Sequence, residues 1–226
     1  MAKKKISRKE LLKQQDEFLT LSEKAINYAK SHVKQLEYLG IALGVLVLLF
    51  FGGYSYYKYI NKKGQETYNK AYEIFKEGFK PDLNLVDIKK SGEAFKKVIN
   101  RYGLSKAARL ALPEDAYVKF LDKDYDGAIS LYRKFLDKVS GNYRYESLAR
   151  LALAACYEQK GELATAIVTL KPILSEEGNP FREPALVLLA RLYRLNHQEA
   201  EKEKVIKEFM KTYKDSPFLP MIKAHL

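Results

Sequence analysis

The twenty residues from Tyr38 to Tyr57, YLGIALGVLVLLFFGGYSYY, carry no charged side chain, in a chain of 226 residues with 40 Lys+Arg and 28 Asp+Glu. A helix of about 20 apolar residues, rising 1.5 Å per residue, crosses a hydrocarbon core of about 30 Å with every backbone group paired internally. A cleaved export signal starts near the N-terminus, is shorter, and ends in small residues at a cleavage site. Here the run follows 37 mostly polar residues and ends in Gly-Gly-Tyr-Ser-Tyr-Tyr. A helix packed on a globular core normally keeps a polar stripe, and this one has none. Tyr54, Tyr56, Tyr57 and Tyr59 gather at its C-terminal end like an interfacial aromatic belt, and Lys58, Lys62 and Lys63 follow within reach of headgroups. The run reads as a permanent transmembrane helix, assigned to residues 38–60. Gly40 and Gly44 form a GxxxG pair of the kind that packs against another span.

Charge only weakly orients this anchor. The 37 residues before it hold nine Lys+Arg and five acids, and Lys58, Lys62, Lys63, Lys70 and Lys76 stand on the other flank. Long C-terminal segments translocate largely regardless of charge, which favours an N-terminus inside and a C-terminal domain outside. Residues 1–37 read as a basic arm. Ser7-Arg-Lys-Glu10 and Thr20-Leu-Ser-Glu23 have capping-box spacing. Leu11, Phe18, Leu21, Ala25, Tyr28 and Ala29 recur at helical intervals. Two readings fit: an amphipathic segment lying on anionic lipid, or a solvated helix that sets topology.

The net charge of +12 is spread along the chain without arginine clusters interleaved with aromatics, so membrane lipid rather than nucleic acid is the expected anionic partner. Cys156 is the only cysteine, which excludes an intrachain disulfide or a cysteine zinc cluster; a small side chain in a helix core is its expected role. His32, His197 and His225 lie far apart with no HExxH companion, and there is no P-loop, GxGxxG or GxSxG. Glu114-Asp115 and Glu176-Glu177 read as capping residues at a helix edge or in a loop. No enzyme, cofactor or metal site is expected.

From residue 61 to 226 the pattern is helical and self-similar, and this part reads as one all-α domain. Ala94, Ala128 and Ala166 each open a stretch with a large apolar residue four later, and the register continues to Lys202 and Ile206, in steps of 34, 38 and 36 residues. Residues 147–180 are the clearest unit. Leu153, Ala154 and Tyr157 lie on its first helix, Gly161 at the turn and Ala166 at the crossing of the second helix. This pattern resembles the tetratricopeptide repeats. Arg150 and Gly178 depart from it, with Pro180 two residues late. The unit 109–146 keeps Leu112, Ala116, Tyr125, Ala128 and Tyr132, but has Lys119 and Lys123 where an aromatic and glycine are usual, and Pro113 is expected to interrupt its first helix. The unit from 183 keeps Leu186, Leu189, Ala190 and Tyr193 with His197 and Lys202 at the glycine and alanine positions. Residues 65–80 and 92–102 read as a degenerate helix pair split by Pro81 and a polar loop, and SPFLPMIKAHL as a terminal cap.

The resemblance implies an α-solenoid of helical hairpins with a concave, partner-binding groove. The groove side of the first helices would carry Tyr117, Phe120 and Leu121, then Leu151, Ala155 and Glu158, then Val187, Arg191 and Arg194, with aromatics as apolar anchors and arginines for carboxylates. The order of basic arm, single span and repeat domain resembles the bacterial ancillary SecYEG translocon subunit family. That resemblance implies a cytoplasmic N-terminus, a periplasmic repeat domain in the inner membrane, and protein partners among translocon subunits, exported polypeptides and periplasmic chaperones. A structural scaffold for envelope assembly or division is the alternative. Tyr102 to Leu112 is also similar to repeats of outer-membrane assembly lipoproteins, whose N-terminal lipidated cysteine has no counterpart here. A regulator with a cytoplasmic domain is a third possibility.

Overall fold

The structure is a computed structural model that describes residues 8–79, 84–176 and 178–223, with side chains from residue 20 onward. The cap placed at Ser7, the break at Pro81, Glu177 and His225 fall outside the described residues. All regular elements among the described residues are helices. They divide into two compact units, Met1–Tyr56 and Tyr57–Leu226.

The first unit holds α1 (Arg8–Ser31) and the start of α2 (Val33–Gly78). The Thr20-Leu-Ser-Glu23 spacing starts no helix: these residues lie inside α1, because an S/T-x-x-E pattern also fits a helix interior. The apolar segment 38–60 lies within α2, which continues beyond it on both sides. Its most apolar window has mean hydropathy 2.0 with none of it buried, so α2 is long and apolar enough to cross a membrane. A Cβ built on Gly40 or Gly44 would meet nothing within 4 Å.

The second unit contains the remainder of α2 from Tyr57, then α3 (Leu85–Arg101), α4 (Lys106–Leu121), α5 (Tyr125–Lys138), α6 (Tyr143–Gln159), α7 (Leu163–Leu170), a 3-10 turn (Lys171–Leu174), α8 (Arg182–Leu195), α9 (Glu199–Thr212) and α10 (Leu219–Lys223). Each helix from α3 to α9 packs on the next. The expected residues 92–102 prove to be the later part of α3, which starts at Leu85 because Asn84 caps it, its side chain accepting from the Val86 and Asp87 N–H groups. Ala71, Phe95, Val98, Ala107, Ala108 and Ala111 form a small core between α2, α3 and α4. The main core runs from α4 to α10.

Ala128 and Ala166 are fully buried, as close crossing of paired helices requires. Lys202 takes the equivalent place in the last hairpin by burying its stem and holding its ammonium 2.5 Å from Glu199. Cys156 is buried in the core, and burial pushes its thiol up to about 11, as suits an inert packing residue. Asn179 is a buried polar peg: its Nδ2 donates to Ser147 Oγ at 2.9 Å, and its Oδ1 accepts from the Phe181 N–H at 3.0 Å, fixing the entry to α8 against α6.

Pro113 does not interrupt the first helix of its hairpin. It lies inside α4, which continues to Leu121. The carbonyl that loses its partner belongs to Arg109, an exposed residue, so the proline removes one hydrogen bond of the helix without ending it. Glu114 and Asp115 also differ from expectation. They stand in the interior of α4, not at an edge, and Asp115 is buried.

Candidate partner-binding face

Three turns set the geometry of the face. In each, a residue in the left-handed region ends the first helix of a hairpin: Lys123 at φ 64°, Gly161 at φ 77° and His197 at φ 54°. The following N–H reaches back to a carbonyl five residues earlier, Asp124 to Lys119, Glu162 to Tyr157 and Gln198 to Tyr193, each at 2.9 Å. These are Schellman closures. The same turn is built with glycine, lysine or histidine, so helix packing, not the turn residue, dictates it. As a consequence α4, α6 and α8 leave their hairpins in the same way.

On α4, Tyr117 is exposed, and Phe120 and Leu121 are half-buried. Tyr117 is the centre of an aromatic ladder. Its ring stacks on Phe79 with centroids 6.0 Å apart and on Phe120 at 6.4 Å, and meets Phe75 edge-on at 6.2 Å. Phe75 in turn meets Phe79 at 4.9 Å, and Tyr68 stacks on Tyr72 at 6.0 Å. Tyr72, Phe75 and Phe79 had not been expected here. Their signal was present: Tyr68, Tyr72, Phe75 and Phe79 recur at helical intervals, but the segment read as a degenerate repeat. Glu114 lies below the ladder, with the Tyr68 hydroxyl 3.5 Å from its Oε1, and burial raises its carboxyl.

On α6, Leu151 and Ala155 are half-buried. The Glu158 side chain is 9% exposed, and Arg191 Nε of α8 stands 2.8 Å from its Oε1. That oxygen nonetheless has no hydrogen bond of proper geometry. The contact is therefore a close ion pair whose N–H is misdirected, and we treat it as electrostatic. It joins two expected residues 33 positions apart in sequence.

On α8, Val187, Arg191 and Arg194 come together. With Leu188, Phe218 and Met221 they line a trough of about 450 Å³. Val187 is buried in its floor, and both arginines are exposed. Arg194 has no ion pair among the described residues, whereas Arg191 is held by Glu158. Phe218 and Met221 come from the terminal segment around α10, whose Ile222 is fully buried. The segment was expected as a terminal cap, but its part in the trough was not, because it is too short to show a helical period. No cluster of His, Cys, Asp or Glu suited to a metal occurs among the described residues.

This stacking of hairpins is that of a tetratricopeptide solenoid. The tetratricopeptide repeat-like domain family matches residues 30–183, and the chain belongs to that family. Two solved structures are similar in fold: the nearly identical TPR-like repeats of a kinesin light chain candidate from Podosopora anserina, and a single-substitution variant of the same protein. Each matches with a TM-score of 0.53 at 16% identity, covering 73% of this chain and 82% of that chain. No curated protein sequence matches the chain. The fold makes the second unit a protein-interaction module.

Proposed function

We propose that this chain is a membrane-anchored interaction module that assists protein export, receiving translocated polypeptides beside the translocon or passing them to chaperones. The arm would be cytoplasmic and the repeat domain periplasmic. The observation that carries the reading is the trough on α8, an apolar floor with two arginines at its edge. Such a site suits a short extended segment with an apolar side chain and a nearby carboxylate, which unfolded chains supply and folded ones hide. The aromatic ladder on α4 offers a second apolar contact. Tethering by α2 raises the local concentration of both at the membrane, so weak contacts suffice for brief capture. The order of arm, span and repeats, which resembles the ancillary translocon subunits, supports the choice of export over other envelope tasks.

Photocrosslinkers placed at Phe120 and Arg191 in cells test the reading. Adducts with translocon subunits, exported chains or periplasmic chaperones are expected. Adducts confined to assembly or division proteins would replace it with the scaffold reading. Protease added to spheroplasts should digest the repeat domain; full protection overturns the proposed orientation.

A further inference from the structure

The loop between α3 and α4, residues 102–105, is a tight turn in which the Ser105 N–H donates to the Tyr102 carbonyl at 2.7 Å. It is held against α2. The Lys106 N–H donates to Asn61 Oδ1 at 2.9 Å. A Cβ on Gly64 would stand 2.7 Å from Ser105 Oγ, so glycine is what permits this approach. At the tip, Leu104 is 77% exposed, more than any other large apolar side chain among the described residues, those of the apolar run included. Beside it, Tyr57, Lys106, Arg109 and Lys138 line a cavity of about 330 Å³. None of these three cations has an ion pair among the described residues, whereas Lys63, Lys89, Lys119 and Lys160 of the same unit each hold a carboxylate.

We infer that this loop is a second membrane contact, with Leu104 entering the interface and Lys106, Arg109 and Lys138 receiving the phosphates of anionic lipid. The inference rests on the anchoring of the chain by α2. Tyr57 is the last residue of the uncharged run. Asn61, which holds the loop, is one helical turn further, about 6 Å along the axis. The headgroup layer on each side of a bilayer is of about that thickness, so Lys106 falls at the depth of the phosphates. A site for a soluble phosphate has no use for an exposed leucine at its edge. A protein-docking patch would surround Leu104 with other apolar side chains. A lone apolar side chain ringed by unpaired cations, beside an interfacial tyrosine, matches the layering of a membrane surface.

The chain contains no tryptophan, so single-tryptophan variants of the full chain report position directly. L104W and, as a control in mid-span, F51W are reconstituted into vesicles of brominated phosphatidylglycerol or brominated phosphatidylcholine. F51W emission should be strongly quenched in both. L104W should be quenched several-fold more in the anionic lipid than in the zwitterionic one, and the difference should shrink in high salt and in L104W carrying K106E, R109E and K138E. L104W carrying R109E alone, a milder change, should lie between. An unquenched L104W beside a quenched F51W overturns the loop contact and leaves the anchor standing. An unquenched F51W overturns the anchor itself. Equal quenching of L104W in both lipids, or a response of L104W in detergent to inorganic phosphate without quenching in vesicles, overturns the assignment to anionic lipid.

Discussion

The two ends of the proposed groove share one backbone plan and differ in chemistry. Around α4 the face is built from rings: Tyr117 touches Phe75, Phe79 and Phe120. Around α8 it is built from a trough with Arg191 and Arg194, and Arg191 is tied to the nearly buried Glu158. The hairpin turns that position both are superimposable in their hydrogen bonding. Surface chemistry is thus separable from architecture in this domain. The surface residues change from hairpin to hairpin while the closure at 123, 161 and 197 does not.

The largest expected effect is at the arginine end. Arg191→Ala leaves the Glu158 carboxylate without its cation in a site where that side chain is 9% exposed. A loss of about 2–3 kcal/mol follows from stranding a buried charge, measured by urea unfolding of the full chain in detergent. Adding Glu158→Gln should recover most of it. Arg194→Ala, with no ion pair to lose among the described residues, should leave stability within about 0.5 kcal/mol while weakening capture of acidic segments. Equal losses for the two arginines would contradict the geometry of the pair.

At the ring end, Tyr117→Ala should cost about 1–2 kcal/mol, since three ring contacts go but the ring is already partly solvated. Tyr117→Phe should be nearly silent. If Tyr117→Ala proved as damaging as Arg191→Ala, the ladder would be a core element rather than a face.

The two ends also differed in how far sequence exposed them. Val187, Arg191 and Arg194 could be named together because the resemblance to tetratricopeptide repeats implies which side of a first helix faces the groove, and all three line one trough. The same logic placed Leu153, Ala154 and Tyr157 in the core. It failed where long-range packing decides. Phe218 and Met221 reach the trough through a terminal segment with too few residues to show a period. Pro113 was expected to break a helix, but α4 runs through it to Leu121 because the packing of α4 on α3 and α5 outweighs one lost hydrogen bond. Asp115 looked like a cap because its neighbour is also acidic, and its burial comes from α3 lying across it.

Asp115 extends the comparison to pH. Burial pushes its carboxyl up to about 6, with Lys119 and Lys96 opposing and Glu93 and Asp124 adding to the rise. A carboxyl raised above its unfolded value of about 3.9 binds its proton more tightly in the folded state. Its contribution therefore favours folding below the unfolded value and is lost as pH rises through about 6. Between pH 5 and pH 8 this group alone should remove about 1 kcal/mol of stability. Asp115→Asn should remove that part of the pH dependence and leave the protein more stable at pH 8. An unchanged slope would mean that Asp115 is solvated in the folded state.

The smallest effects concern the turns, where the hairpins are most alike. Lys123 and His197 occupy the left-handed region that Gly161 occupies freely, and a side chain there costs about 1 kcal/mol. Lys123→Gly and His197→Gly should each gain about 0.5 kcal/mol once the greater flexibility of glycine in the unfolded chain is subtracted. Gly161→Ala should lose about 0.5 kcal/mol for the same reason with the sign reversed, because a Cβ at Gly161 meets nothing within 4 Å and only φ opposes it. The three changes act on one closure in three chemical settings. Additive shifts in the unfolding midpoint would show that each turn is a passive consequence of its own helix pair. A gain at Lys123 that depends on the residue at 161 would show instead that the turns are coupled through α5 and α6, and that the array responds to strain as a unit.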